Sequence, residues 1–310
     1  MATVLITGGT GLIGTALTKA LLEKGYDVII LSRSKRISSQ KKVGYAIWNV
    51  NDQTIEEEAI AKADSIIHLA GASVSEKRWT KKRKKEIVDS RVKSGELLVK
   101  ALKETPNHVK LIVSASAIGF YGPDPQIPNP KPFTETDAPY NDFLATTVQQ
   151  WESAIAPVKQ LEKQLVLLRT GIVLSNKGGA YKEFKKPLRF GMASVLGNGR
   201  QVISWIHIDD LVRLYIDAIE NEKQQGVYNA VSPHPVSNKQ LITEIAAQTK
   251  KPHITVKVPS FVLKPLLGEM SVEVLKSATV SSTKIQSEGF QFLYPTIESA
   301  IGNLERGEIF

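Results

Sequence analysis

The chain has 310 residues, 42% of them hydrophobic and 23% charged, carries a formal net charge of +9 and contains no cysteine. That length makes one large domain or two ordinary ones, with the composition of a soluble globular protein. Disulfides, thiolate nucleophiles and cysteine–zinc sites are excluded, no apolar run approaches the roughly 18–20 residues that cross a bilayer, and the N-terminus starts a strand instead of a signal peptide, so a cytoplasmic protein without a membrane partner is expected.

In chain order, Thr3–Thr7 reads as a buried strand and residues 12–24 as an amphipathic helix stopped at Gly25. Asp27–Ser32 is a second strand and residues 45–48 a short third. Thr54, followed three residues later by Glu57, spells a capping box and predicts a helix to about Lys62. Residues 65–69 predict a fourth strand. A long helical pattern opens on Lys81-Lys82-Arg83-Lys84-Lys85 and reaches Leu102, with Ile87, Val88, Val92, Leu97, Leu98 and Leu102 as its apolar stripe. Residues 109–114 are a fifth strand. Near-continuous apolar strands alternating with helices mean a doubly wound parallel α/β sheet, covered on both faces.

Further along, residues 166–169 extend the sheet, and the glycine- and lysine-rich stretch of about 175–205 reads as a substrate-side insertion. Asp209 is expected to cap a helix over 211–220, residues 225–230 form another strand, and Ser237 or Asn238 caps a helix to about Thr249. The tail, with Pro259, Pro265 and Pro295, reads as a small lobe. The net charge has one concentrated source, the run from Lys81 to Lys85. A solvated helix face accounts for it better than a nucleic-acid surface, so no nucleic-acid partner is expected. Lysines there oppose the helix dipole, and nothing in the sequence explains them. The five histidines are scattered without metal-ligand spacing, so no metal site is expected.

Residues 7–14 read TGGTGLIG, and Gly9-Thr10-Gly11-Leu12-Ile13-Gly14 satisfies G-x-G-x-x-G between a strand and a helix. One glycine permits the tight turn, another lets the backbone approach a pyrophosphate, and the last lets helix and strand pack closely. Free N–H groups at the helix start then face phosphate. The second strand ends Leu31-Ser32-Arg33-Ser34-Lys35-Arg36, without the acid that accepts from the ribose of NAD. Arg33 can pair with a 2′-phosphate, which favours NADP; Lys35 and Arg36 are weaker candidates.

TGGTGLIG together with Asp64-Ser65-Ile66-Ile67-His68-Leu69-Ala70-Gly71 resembles the extended short-chain dehydrogenase/reductase superfamily of NAD-dependent epimerases and dehydratases. The resemblance implies that Gly8, Thr10, Gly11, Leu12, Ile13 and Gly14 hold the cofactor pyrophosphate, that Asp64 lies near the adenine, and that Leu69, Ala70 and Gly71 run beside the cofactor. The stretch from Ser114 to Gly122 resembles the family's serine-bearing segment, and Arg169-Thr170-Gly171-Ile172-Val173-Leu174 resembles the stretch that passes the nicotinamide. Arg78-Trp79, Ser90-Arg91, Asp142-Phe143-Leu144-Ala145, Trp151-Glu152 and Leu267-Gly268-Glu269-Met270 narrow the resemblance to an "epimerase family protein" subgroup with a small C-terminal domain of unknown function. The implied division is a Rossmann domain over residues 1–235 and a lobe over 236–310 closing on the cleft, where a small-molecule substrate would sit. The oligomeric state stays open.

In typical members a Tyr-x-x-x-Lys pair follows the serine segment. A phenol of ordinary pKa about 10 needs such a neighbouring cation to exchange protons near neutrality. Here Phe143 falls where the tyrosine would, and Thr147 where the lysine would. Tyr181-Lys182-Glu183-Phe184-Lys185 spells the motif again, but outside its context, and reads as structural. Ser116 is chosen over Ser114 as the substrate-facing hydroxyl, with Ser114 on the cofactor side. Both could instead satisfy backbone groups at a strand end. Tyr121, Glu152, Arg78 with Trp79, and His207 are the other candidates, although Glu152 is expected to face away and His207 to be a satisfied buried histidine. Two functions follow: an NADP-dependent oxidoreductase or epimerase acting on a small hydroxyl or carbonyl compound, or an NADP(H)-binding redox sensor without turnover.

Overall fold

The computed structural model describes residues 2–249 and 252–307. Its strands are β1 (Thr3–Thr7), β2 (Asp27–Ser32), β3 (Val43–Asn49), β4 (Thr54–Ile55), β5 (Ser65–His68), β6 (Leu111–Ala117), β7 (Gln164–Thr170), β8 (Ile172–Leu174), β9 (Met192–Leu196), β10 (Val202–Ile203), β11 (Trp205–His207), β12 (Gly226–Ala230), β13 (Val236–Ser237) and β14 (Ile254–Val258). Its helices are α1 (Leu12–Glu23), α2 (Glu57–Lys62), α3 (Lys81–Glu104), α4 (Phe143–Ile155), α5 (Gly179–Lys185), α6 (Ile208–Glu220), α7 (Asn238–Thr249), α8 (Ser260–Leu267), α9 (Ser271–Leu275), α10 (Thr283–Ser287) and α11 (Ile297–Arg306).

The central sheet has the order β12-β7-β6-β5-β1-β2-β3-β4, parallel except for the antiparallel β4. From β1 the chain winds outward to β3, then returns to the other side of β1 for β5. The connections therefore diverge between β1 and β5, and a ligand crevice opens at the C-terminal ends of those two strands. Val4, Leu5, Ile6, Ile66 and Ile67 have no exposed surface, as strands covered on both faces require. On one face Val4, Ile6 and Val113 pack under α1 and α6 through Leu17, Leu21, Leu211 and Tyr215. On the other, Leu5, Ile66 and Ile112 meet Leu97, Leu98 and Leu102 of α3. Thr80 caps α3 by accepting from the Arg83 N–H.

Several expectations are corrected. The capping box at Thr54 does not form, because Thr54 and Ile55 pair with Asn49 and Trp48 as β4, and α2 starts after Glu56. The Lys81–Lys85 run is not all solvated. Arg83 is 6% exposed and pairs with Glu86, while the half-buried Lys84 pairs with Glu269. The cap of α6 is His207, whose Nδ1 accepts from the Asp209 N–H; Asp209 sits inside the first turn. Residues beyond 235 pack closely on those before it: β9 pairs with β14, Ile285 and Phe290 join the same core cluster as α6, and buried Asp210 accepts from the N–H groups of Leu293 and Tyr294.

The turn from β1 into α1 is closely packed. A Cβ on Gly14 would stand 2.5 Å from the Gly8 carbonyl oxygen and 2.5 Å from the Gly9 Cα. Those atoms are backbone and cannot move aside cheaply. Gly14→Ala is therefore expected to cost about 1–3 kcal/mol through overpacking, read as a lower urea midpoint at unchanged m-value.

Candidate functional site

The crevice is built first from backbone. Gly8 has φ +68°, and a Cβ there would lie 3.0 Å from the Leu69 carbonyl, so only glycine lets the turn lie against the end of β5. Gly11 N donates to Gly8 O and Thr15 N to Gly11 O, while the N–H groups of Leu12, Ile13 and Gly14 find no acceptor among the described residues. Three unpaired donors at the start of a twelve-residue helix form an anion seat. A cleft of about 770 Å³ runs from this turn along α1, lined by Gly9, Thr10, Lys19, Arg36, Ser38 and Tyr45. Arg33, Lys35 and Arg36 are exposed at the end of β2, and none makes a hydrogen bond or ion pair among the described residues. Arg36, the weaker expectation, lines the cleft.

The end of β5 is fixed by a polar relay. The Thr7 Oγ1 accepts from the N–H groups of Leu69 and Ala70, both at 3.0 Å, so its own proton goes to His68 Nδ1 at 2.8 Å. His68 therefore carries its proton on Nε2 and donates to the Ser94 Oγ, which in turn donates to Ser90 O. Complete burial, with Arg91 nearby, pushes the His68 ring down to about 3. One turn earlier on α3, Ser90 Oγ accepts from Ala72 N and Arg91 Nη1 donates to Ala72 O. Sequence reasoning noticed Ser90 and Arg91 only as a resemblance and missed their task of holding the segment 69–72.

Asp64 does not join this crevice. It precedes β5 by one residue, at the N-terminal end of β1 and β5, where its carboxylate accepts from Thr3 N and pairs with His108. A position before the strand, in a parallel sheet, is a strand length away from the glycine turn.

The serine segment is also different from expectation. Ser116 is 3% exposed, and its hydroxyl donates to the Glu152 carboxylate at 2.5 Å. Glu152 does not face away: Arg169 grips it through Nε and Nη2, both at 2.9 Å. The Arg169 Nη1 donates to the Tyr121 hydroxyl, which donates to Asn229 Oδ1. The Arg169 guanidinium also stacks 3.4 Å from the Phe120 ring centre. Ser116 is thus a member of a buried network and presents no free hydroxyl, and the Arg169 side chain is spent on Glu152. Burial raises the Tyr121 phenol above its ordinary pKa, and its hydroxyl is already engaged by Arg169 and Asn229. Ser114 is fully buried and donates to Ala115 O.

Phe143 opens α4 with its ring 5.0 Å from that of Trp79. The Thr147 hydroxyl donates to Phe143 O, so this position supplies no cation. Trp79 donates its indole N–H to Val74 O, and Arg78 donates to Pro265 O of α8, tying the segment before α3 to the tail. Tyr181 and Lys185 both bind Glu305 of α11, as a structural pair would. His207 is buried and held down at about 4 by desolvation.

The comparisons with known proteins agree with this architecture. Residues 4–230 match the model of the NAD dependent epimerase/dehydratase family, and residues 258–304 match a domain of unknown function. An epimerase family protein of Staphylococcus saprophyticus is 38% identical over 302 residues, 97% of this chain and 98% of that one. The human epimerase family protein SDR39U1, solved with NADPH, superposes with a TM-score of 0.86 at 27% identity, covering 99% of this chain and 100% of that one. A nucleoside-diphosphate sugar epimerase of Corynebacterium glutamicum gives 0.78 at 30% identity, covering 98% of this chain and 58% of that one.

The buried groups set two expectations for stability. Glu152→Ala strands the Arg169 cation and is expected to cost about 3–5 kcal/mol, whereas Ser116→Ala loses one hydrogen bond, about 1 kcal/mol; urea denaturation of both variants checks the order. His68 is neutral when folded and takes a proton when unfolded, so its contribution is complete above pH 6.5 and drains as pH falls toward 3. Between about pH 7 and 5 the unmutated chain should lose about 2 kcal/mol through this group. His68→Gln, which has no ring to protonate, should show a correspondingly flatter stability profile.

Proposed function

The chain belongs to the NAD dependent epimerase/dehydratase family, and from that premise we propose that it binds NADP(H) and acts as an oxidoreductase or nucleotide-sugar-type epimerase on a small hydroxyl or carbonyl compound. One observation carries the choice of cofactor. The cleft that starts at the glycine turn before α1 is lined by Arg36, one of three unpaired cations after β2, and residues 33–36 at that strand end include no carboxylate. The unpaired N–H groups of α1 would hold the pyrophosphate, and Arg33 with Arg36 would hold a 2′-phosphate. The solved human relative was obtained with NADPH, which supports the same choice.

NADP(H) supplies or accepts a hydride when bound. The protein's own part is to seat the phosphates on α1 and to hold segment 69–72 rigid through Thr7, Ser90 and Arg91. Phe143, Thr147 and the engaged Ser116 leave proton exchange with the substrate to a group other than the family's usual one, or to water.

The same three residues favour a second reading, an NADP(H) sensor without turnover. Oxidation of NADPH against a panel of carbonyl compounds separates the two: turnover of any member supports the enzyme, and its absence together with tight NADPH binding supports the sensor. For the cofactor, Arg33→Ala should raise the Kd for NADPH about tenfold or more, from loss of a charge-assisted phosphate pair, and leave NADH within about twofold. Equal titration curves for NADPH and NADH in the unmutated chain would sink the preference.

A further inference from the structure

The family's lysine position is Thr147, yet a cation stands one helical turn away. Thr147, Trp151 and Ile155 follow each other along the buried side of α4. The neighbouring α3 approaches closely enough that a Cβ on Gly95 would meet the Ala154 Cβ at 3.2 Å. From α3, Arg91 lays its guanidinium 4.9 Å from the Trp151 ring centre. Its other side is pressed against the end of β5: a Cβ on Gly71 would stand 3.0 Å from the Arg91 Cζ.

The anchoring of Arg91 uses one nitrogen only. Nη1 donates to both Ala72 O and Ile87 O at 3.0 Å. Nε and Nη2 make no hydrogen bond among the described residues, and neither is a sealed, unsatisfied atom. The contrast with the two buried arginines is sharp. Arg83 pairs with Glu86 and Arg169 with Glu152, whereas no carboxylate pairs with Arg91 among the described residues. Burial and the charge of Arg83 bring Arg91 down to about 10, so it stays cationic at neutral pH. An unpaired guanidinium half out of water is costly unless oxygen atoms complete its shell.

We propose that Arg91 takes the place of the absent lysine: its free Nε and Nη2 donors receive the vicinal hydroxyl oxygens of the nicotinamide ribose, and its charge faces the reacting end of the cofactor. The proposal rests on the NADP(H) reading above. The fork of a guanidinium matches two adjacent oxygens, which an ammonium would meet as a point charge. The donor approaches from α3 instead of α4, so a search for Tyr-x-x-x-Lys along α4 passes over it.

Two ligands separate this role from a purely structural one. NADPH contains the nicotinamide ribose, whereas 2′,5′-ADP keeps the adenosine 2′-phosphate and lacks that ribose. Arg91→Met should raise the Kd for NADPH about tenfold and leave 2′,5′-ADP within about twofold, while Arg33→Ala should weaken both. Arg91→Lys, which keeps the charge, should restore most of the NADPH affinity. Arg91→Gln keeps a donor for Ala72 O without charge, and should reproduce the loss if the methionine variant does not fold. Equal weakening of both ligands by Arg91→Gln would make Arg91 a strut for segment 69–72 and overturn the proposal. Unchanged NADPH binding would overturn it as well. An unmutated chain that binds neither NADPH nor NADH would instead overturn the cofactor reading, and this proposal with it.

Discussion

The head of the sheet depends on one close approach: the backbone of the β1–α1 turn lying directly on the end of β5. Gly8 meets the Leu69 carbonyl, and Gly14 meets Gly8 itself, at distances where any side chain would collide. Because the two segments touch, Thr7 can reach both Leu69 N and Ala70 N with one hydroxyl. That contact orients His68, and through His68 and Ser94 it registers α3 against the sheet. The anion seat on α1 and the rigid segment 69–72 are thus two consequences of one packing constraint. Pre-organised donors of this kind lose little entropy when a ligand arrives, so binding energy is not consumed in ordering them.

Beyond that point, residues with the chemistry of a reactive site have been drawn into the scaffold. Ser116, Glu152, Arg169, Tyr121 and Asn229 form a chain in which each polar group has a partner. Inside a protein such a network is stable only when complete, since any unpaired member carries its whole desolvation cost. Arg169 and Glu152 are matched in this way, and they join β7 to α4. Arg91 is the exception on the same side of the sheet. Its Nη1 is satisfied, yet its charge pairs with no carboxylate among the described residues.

The tail is continuous with the same body. β9 takes β14 as its partner, Asp210 on α6 binds the backbone at 293–294, and Phe290 packs into the core beneath the sheet. Arg78 and Lys84 reach from the α3 side to Pro265 and Glu269. These contacts join residues far apart in the chain, with separations of 187 and 185 positions.

Local pattern carried the alternation of strands and helices, the glycine turn and the free cations after β2. Each is written in neighbouring residues: apolar runs, a G-x-G-x-x-G between strand and helix, and Arg33 immediately past a strand end. The absence of the tyrosine and lysine was equally legible, because Phe143 and Thr147 fall four residues apart on one helix. What sequence could not decide was where side chains end up when their partners are distant. Asp64 precedes its strand by one residue, but only the parallel register shows that this places it at the far end of the sheet. Ser116 reads as a free hydroxyl in its own segment, but Glu152, 36 residues on, accepts its hydrogen bond. Thr54 and Glu57 have the spacing of a helix cap, and pairing with β3 overrides it. Arg91 lies in an ordinary amphipathic helix, and its contacts with Trp151 and with segment 71–72 exist only because α3, α4 and the end of β5 converge there. Hydrogen bonds and ion pairs across long chain separations are selected by the completed packing, and that information is absent from any local window of the sequence.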